Sequence, residues 1–270
     1  MIKIEKGDIN FRDLYKIDCQ GTNSTIYTDG TTCFKVLDKT HPDEKKGIYE
    51  KFSDLSGEKI DGVIMPEDFI FDRGEFIGYT MPYFANSMPL SDRFFTRQVD
   101  LKKLSEALTK TSIIMRKLHD KGVMCQDFSF ENVLINSKGE VVYCDLDSCY
   151  FNGHESLYIS YLLKRFMIDY RGDLVVRGEN TDRISMMISY YYLMFALELQ
   201  KVSQRKFLRM SEDVETVYNS VDVANMFIDR SELMGDVPYL DELISANDTG
   251  ILDRWKHKQK AFSKRYLKQR

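Results

Sequence analysis

LHDKGVMCQDFSFENVLINSKGEVVYCDLDSCY, residues 118–150, is the stretch of sequence that decides the fold. Asp127 opens a turn-like D-x-x-x-x-N pattern that ends at Asn132, and two apolar runs follow, separated by a turn at 136–139. Asp145 closes the second run. Apolar runs of this length on either side of a turn are typical of a hairpin. The pattern therefore predicts a loop and a short hairpin that bring Asp127 and Asp145 to one place.

These side chains suit one kind of chemistry. Asn132 and Asp145 offer oxygen ligands to a hard cation such as Mg²⁺. Asp127 offers a separate carboxylate that can orient an attacking hydroxyl group. Phosphoryl transfer assisted by magnesium needs this combination, because positioning and charge neutralisation supply most of its rate.

The same segment resembles the catalytic and metal-binding core of the protein-kinase-like superfamily. The family pattern is H-R-D-x-x-x-x-N, a hairpin, and then D-F-G. Here it reads Cys125-Gln126-Asp127, then Asn132, and then Asp145-Leu146-Asp147 at the family's spacing. The resemblance covers roughly residues 14–200. It implies an α+β, bilobal fold with a small antiparallel-sheet N-lobe (residues 1–85) and a mainly helical C-lobe (residues 86–270).

The upstream sequence contains candidates for a nucleotide site. Residues 14–37 read as three strands, with a loop at 20–25 and an Asp29-Gly30 turn. Gly21 with Ser24 resembles a kinase phosphate loop that keeps one glycine, although an ordinary hairpin turn is an equal alternative. Lys35 resembles the lysine of the third strand that binds the nucleotide phosphates.

The resemblance also implies that a glutamate on the next helix pairs with Lys35. Two residues are candidates for this role. The helix is predicted to begin near Pro42. Glu50 is favoured by its separation from Lys35 along the sequence. Glu44 is favoured because Ile48 and Phe52 follow it at i+4 and i+8, on the same face of the helix. Glu50 is our preferred candidate, and both could be ordinary surface charges.

Residues 63–84 read as two more strands, joined by a turn at Asp72-Arg73-Gly74, and the end of the second strand resembles the kinase hinge. Met81 would be the gatekeeper, Pro82 would offer only its carbonyl to adenine, and Phe84 would offer its N–H. The base would lie between the apolar side chains that occupy the family's sandwiching positions. These are Ile26, Cys33 and Leu134.

A later helix is apolar on nearly every side. Residues 184–196 carry no charge, which is typical of a buried helix and is shorter than the ~20 residues that span a bilayer. Asp182 lies near its start. In the family, an aspartate at this place supports the catalytic loop.

The chain also departs from the family. Cys125 and Gln126 replace the histidine and arginine of the catalytic triplet, so activation through a phosphorylated loop is not expected. Ser129 replaces a lysine found in many Ser/Thr kinases. Asp147 replaces the glycine of D-F-G and is either a second metal ligand or a turn residue. No A-P-E equivalent follows, and residues 157–170, which read as a helix, either regulate or build the acceptor site.

Composition sets broad limits. The chain has 270 residues, a net charge of −4 and five cysteines without a C-x-x-C pair. The charge does not indicate nucleic-acid binding. We expect reduced thiols in a cytoplasmic protein with no signal peptide and no membrane span. Residues 254–270 form a basic tail with interleaved aromatic residues, which either docks as a terminal helix, the favoured alternative, or binds an acidic partner, a membrane surface or nucleic acid.

The resemblance implies an enzyme that uses ATP and Mg²⁺ to phosphorylate a hydroxyl group. An atypical bacterial serine/threonine protein kinase is the favoured class. A small-molecule kinase of the choline or aminoglycoside type is the first alternative. A nucleotide-binding pseudokinase scaffold is the second.

Overall fold

The computed structural model describes residues 1–17, 23–94, 101–155, 178–202, 237 and 239–245. These residues form an α+β fold that combines a mainly antiparallel six-stranded sheet, a small second sheet and several helices. The predicted α+β class is confirmed. The division into lobes at residues 1–85 and 86–270 stays a prediction.

The larger sheet has the strand order β1-β5-β6-β4-β3-β2. Its strands are β1 (Lys3–Glu5), β2 (Tyr15–Ile17), β3 (Thr25–Thr28), β4 (Thr32–Val36), β5 (Phe69–Asp72) and β6 (Glu75–Pro82). All neighbours pair antiparallel except β1, which pairs parallel to β5. The antiparallel strands were predicted from the sequence, whereas β1 was not.

The two predicted hairpin turns of this sheet are confirmed, and their geometry explains their residues. Asp29 Oδ1 accepts hydrogen bonds from the N–H groups of Thr31 and Thr32, each at 2.8 Å, which closes the β3–β4 turn. Arg73 and Gly74, between β5 and β6, both have positive φ angles (54° and 84°). Two successive left-handed residues produce the twist that a tight hairpin needs.

Helix α1 (Pro42–Asp54) begins where the proline predicted it. Pro42 occupies the first turn, where its missing N–H costs nothing, and the His41 side chain accepts a hydrogen bond from the N–H of Asp43 at 3.4 Å. One face of the helix is buried and packs on the sheet. There the Phe52 and Tyr79 rings meet edge to face, with their centroids 4.9 Å apart.

The second sheet, with the order β7-β8-β9, lies in the later part of the chain. It contains β7 (Ser87–Pro89), β8 (Val133–Asn136) and β9 (Val141–Tyr143). The remaining helices are α2 (Leu90–Phe94), α3 (Leu101–Asp120), α4 (Glu179–Val202) and α5 (Leu240–Ser245). None of the helices in the described part of the chain is both long and apolar enough to cross a membrane.

A direct backbone connection holds β9 against the segment that follows α1. The N–H of Ile64 donates to the Tyr143 carbonyl, and the N–H of Tyr143 donates to the Gly62 carbonyl, each at 2.8 Å. Buried side chains from α1, the large sheet, α3 and the β8–β9 hairpin belong to one hydrophobic core. This packing brings the end of β9 towards β4.

Candidate active site

One face of the large sheet carries four of the residues predicted for the nucleotide site. Lys35 lies opposite Ile26 of β3 on one side and Tyr79 of β6 on the other, and Cys33 lies opposite Met81. Directly opposed residues of a sheet share a face, as do residues two apart along a strand. The register therefore places Ile26, Cys33, Lys35 and Met81 together.

Lys35 is bound by two carboxylates from a distant part of the chain. Its Nζ lies 2.6 Å from Asp145 Oδ1 and 2.7 Å from Asp147 Oδ2. Burial by itself lowers the pKa of Lys35, but the charges of Asp145 and Asp147 outweigh burial, so the pKa lies well above its ordinary value. Lys35 is therefore a fixed cation at the junction of β4 and the residues after β9.

Asp145 has an uncommon backbone conformation. Its φ of 70° and ψ of 63° are left-handed, which non-glycine residues rarely adopt and which is often found at functional sites. The N–H of the preceding residue, Cys144, donates to the carbonyl of Asn132 at 2.9 Å. The structure thus brings the two predicted metal ligands, Asn132 and Asp145, to neighbouring positions at the end of the hairpin.

Asp147 has a different environment from Asp145. Its side chain is 12% exposed, against 38% for Asp145. One of its oxygens accepts a hydrogen bond from the Tyr79 hydroxyl, and the other contacts Lys35. Burial raises the pKa of Asp147, although the charge of Lys35 opposes this shift. The carboxylate predicted as a second metal ligand is therefore committed to protein partners in this structure.

The segment that carries Asp127 is held by Asp182 from the start of α4. Asp182 Oδ2 accepts from the N–H of Cys125, and Oδ1 accepts from the N–H of Gln126, both at 2.6 Å. His119 Nε2 lies 2.9 Å from Asp182 Oδ2. The predicted support of this loop by Asp182 is confirmed.

The same loop is tightly bent immediately before Asp127. Gln126 has a positive φ of 52°, and the N–H of Asp127 donates to the carbonyl of Cys125 at 2.5 Å. Such a conformation persists only where the surroundings hold it, and Asp182 supplies that hold. The Cys125 thiol is buried, and burial raises its pKa well above the usual value, which is typical of a packing residue and not of a nucleophile.

The structure places Glu50 away from Lys35. Its side chain is 48% exposed and pairs with Lys46 one turn earlier on α1, at 3.8 Å. Lys35 is instead paired with Asp145 and Asp147. This corrects the preferred Lys35–Glu50 pair, because Glu50 lies on the solvent side of the helix. The alternative residue, Glu44, lies half-buried in the first turn.

The hinge candidates lie at the end of β6 and immediately after it. Pro82 ends the strand opposite Thr32, and the N–H of Tyr83 donates to the Thr31 carbonyl at 2.8 Å. The Phe84 carbonyl accepts from Ser87 Oγ at 2.6 Å. These two hydrogen bonds fix the segment that follows β6. The hydrogen bonds expected from Pro82 and Phe84 to adenine stay a prediction.

The other predicted contacts to the nucleotide are only partly visible. Ser24 is buried immediately before β3, and Leu134 is half-buried in β8. Gly21 lies outside the described residues, as do the 157–170 segment and the basic tail at 254–270. The phosphate loop and the acceptor site therefore stay predictions.

Two residues beside Lys35 were missed by the sequence analysis. Tyr79 donates to Asp147 from the strand next to Lys35. Lys51 of α1 is 1% exposed and donates to the carbonyls of Asp147 and Cys149 at 2.6 and 2.5 Å. A signal for Lys51 existed, because it follows Ile48 by three residues on the apolar stripe of the helix.

The donor set of the site fits magnesium. The described residues contain no cluster of three or more acidic, histidine or cysteine side chains that could hold an ion alone. Mg²⁺ does not need such a cluster, since it keeps several waters and binds through one or two protein oxygens together with phosphates. Asn132 and the partly exposed Asp145 are the residues that would supply those oxygens.

Comparisons with known proteins do not extend this description. No protein-family model matches the chain, and no curated protein matches it at a significant level. The function must therefore be inferred from the residues of the site and their geometry.

Proposed function

We propose that this chain is a Mg-ATP-dependent phosphotransferase with a bilobal, protein-kinase-like fold and a hydroxyl acceptor. The observation that carries the proposal is the 2.6 Å contact between Lys35 and Asp145, which are 110 residues apart in sequence. A phosphate-binding lysine and a metal-binding carboxylate must converge on the same phosphate groups in this chemistry. Their contact is what such a site would show.

Each side chain then has a distinct role. Lys35 holds the nucleotide phosphates, and the apolar face around Cys33 and Met81 receives the base. Asn132 and Asp145 hold Mg²⁺, which neutralises charge on the phosphates when it is bound. Asp127, on the loop supported by Asp182, orients the acceptor hydroxyl and accepts its proton.

The acceptor class follows from the resemblance alone. We propose serine or threonine hydroxyls of a protein, with a small-molecule hydroxyl as the other class.

Phosphate transfer from γ-labelled ATP in the presence of Mg²⁺ tests the proposal. Wild type is compared with Asp127→Asn and Asp145→Asn, and both label on protein and release of ADP are followed. Asp61→Asn is the matched control, because Asp61 is a 91% exposed carboxylate paired with Lys117 on the surface. We expect a loss of at least about a hundredfold in both site variants and none in the control.

The pattern of products separates the possible functions. Label on serine or threonine, lost in both site variants, supports a protein kinase. Release of ADP without protein label, lost in the same variants, supports a small-molecule acceptor. If neither ADP nor label forms while ATP still raises the melting temperature, the catalytic proposal is overturned and the chain is a nucleotide-binding scaffold.

A further inference from the structure

The carboxylates around Lys35 divide into one that is open to a ligand and one that is not. Asp145 has 38% of its side chain exposed, whereas Asp147 has 12%. Both contact the Lys35 ammonium at nearly equal distances, 2.6 and 2.7 Å. A carboxylate that must also bind a metal needs access to solvent, and one that only fixes a lysine does not.

Asp147 is fixed through its side chain by the strand next to Lys35. Tyr79 lies directly opposite Lys35 in the β4–β6 pairing, is 2% exposed, and donates its hydroxyl to Asp147. Lys35 and Tyr79 therefore hold the two oxygens of one carboxylate from two adjacent strands. This arrangement leaves that carboxylate little freedom to rotate.

Asp147 is also fixed through its main chain by α1. Lys51 donates to the carbonyls of Asp147 and Cys149 at 2.6 and 2.5 Å, and its side chain is almost completely buried. A buried ammonium group is stable only with hydrogen-bond acceptors around it, so Lys51 holds these two carbonyls in fixed positions. The helix next to Lys35 therefore presents a cation to the turn after β9, while Glu50 faces outward and pairs with Lys46.

We propose that Asp147, Tyr79 and Lys51 form a positioning unit that holds Lys35 ready for phosphate, so that no glutamate of α1 is required. The proposal rests on the proposed function for its purpose. Its physical content is a statement about Lys35 in the free protein: the orientation of Lys35 depends on Asp147 and on the residues that fix Asp147, and not on Glu50 or Glu44.

The test measures Lys35 without nucleotide. The folded protein is treated briefly with acetic anhydride, and acetylation of Lys35 is quantified by mass spectrometry against Lys138, an exposed lysine in the β8–β9 turn. An ammonium held by two carboxylates reacts slowly. We expect Lys35 to react about tenfold faster in Asp147→Asn, because a charge-assisted hydrogen bond is lost. Tyr79→Phe and Lys51→Met should also react faster, whereas Glu50→Gln and Glu44→Gln should match wild type.

Affinity for ATP with Mg²⁺ provides the second readout. Asp147→Asn, Tyr79→Phe and Lys51→Met should each weaken binding severalfold, while Glu50→Gln and Glu44→Gln bind as wild type does. Melting temperatures without ligand identify any variant that is merely unfolded. Tyr79→Phe removes a single hydroxyl group and should leave the protein folded. It therefore tests the proposal even if Asp147→Asn does not fold.

The two readouts fail independently. If wild type does not bind ATP, the proposed function is lost, yet faster acetylation of Lys35 in Asp147→Asn and Tyr79→Phe would still support the positioning unit. The positioning proposal is overturned if Lys35 acetylation is unchanged in both of these variants. It is equally overturned if Glu50→Gln or Glu44→Gln accelerates acetylation as much as Asp147→Asn does.

Discussion

Asp182, which supports the loop of the candidate site, is completely buried. It accepts hydrogen bonds from two successive backbone N–H groups and contacts His119. Both of its oxygens must be acceptors for these contacts to form. Asparagine has the same shape but replaces one acceptor oxygen with an NH₂ donor.

We therefore expect Asp182→Asn to lower the free energy of unfolding by about 2–3 kcal/mol, because a buried N–H would face a second donor. Urea unfolding followed by circular dichroism measures the loss. Asp61→Asn, at a carboxylate that is 91% exposed and far from this loop in the sequence, is the control and should unfold at the same urea concentration as wild type. Equal stability of Asp182→Asn and wild type would show that the loop before Asp127 does not depend on this carboxylate.

At the residue scale, the residues that could be predicted from the sequence are those that belong to a pattern with fixed spacing. Asp127, Asn132 and Asp145 follow a pattern along the chain, and Asp182 was placed by its position before an apolar helix. The partner of Lys35 could not be predicted in the same way. Whether Glu50 reaches Lys35 depends on the rotation of α1 about its axis, which is set by packing against the sheet, and the contact of Asp147 depends on how the segment after β9 packs on β4.

At the scale of single elements, Gly78 in β6 determines how closely two strands approach. A Cβ atom at this position would lie 2.1 Å from the carbonyl oxygen of Lys35. That atom belongs to the backbone of β4, so it can move only if the strands separate.

We expect Gly78→Ala to destabilise the protein by about 1–3 kcal/mol and to weaken ATP binding by displacing Lys35. The control is Gly47→Ala in α1, where a Cβ meets no atom within 4 Å and alanine should add about 0.5–1 kcal/mol of stability. Thermal melting and ATP titration of both variants check the prediction. A Gly78→Ala protein as stable as wild type would mean that β4 and β6 are less closely coupled than the structure shows.

Elements with local signals were predicted and the others were not. The β3–β4 and β5–β6 hairpins were visible because Asp29-Gly30 and Arg73-Gly74 supply the conformations that tight turns need. The β8–β9 hairpin and the start of α1 at Pro42 were visible for similar reasons. In contrast, β1 is a three-residue strand that pairs parallel with β5, and a pairing between such distant segments leaves no local pattern in the sequence.

At the scale of the whole molecule, the candidate site joins the large sheet to the β8–β9 hairpin. A ligand that contacts both parts should stabilise the entire fold. ATP with Mg²⁺ at about a hundred times its dissociation constant should raise the melting temperature by about 5–10 °C.

Removal of the metal is the informative step. EDTA should abolish most of this shift, and Asp145→Asn should show little shift with or without Mg²⁺, because Asp145 is the exposed carboxylate of the pair beside Lys35. Asp61→Asn should behave as wild type does. A shift that is fully retained in EDTA would contradict the assignment of Asp145 and Asn132 as magnesium ligands.

The hydrogen bonds of Lys51 also have a consequence for inhibitor design. Compounds that enlarge a nucleotide pocket by displacing the adjacent helix would, in this protein, leave a buried ammonium without its two carbonyl partners. A hydrogen bond to a charged group contributes about 1.5–3 kcal/mol, so the loss of both should lower affinity by at least about a hundredfold. If the proposed nucleotide site is present, selective compounds should therefore gain affinity near the hinge candidates Met81 and Pro82 and leave helix α1 in place.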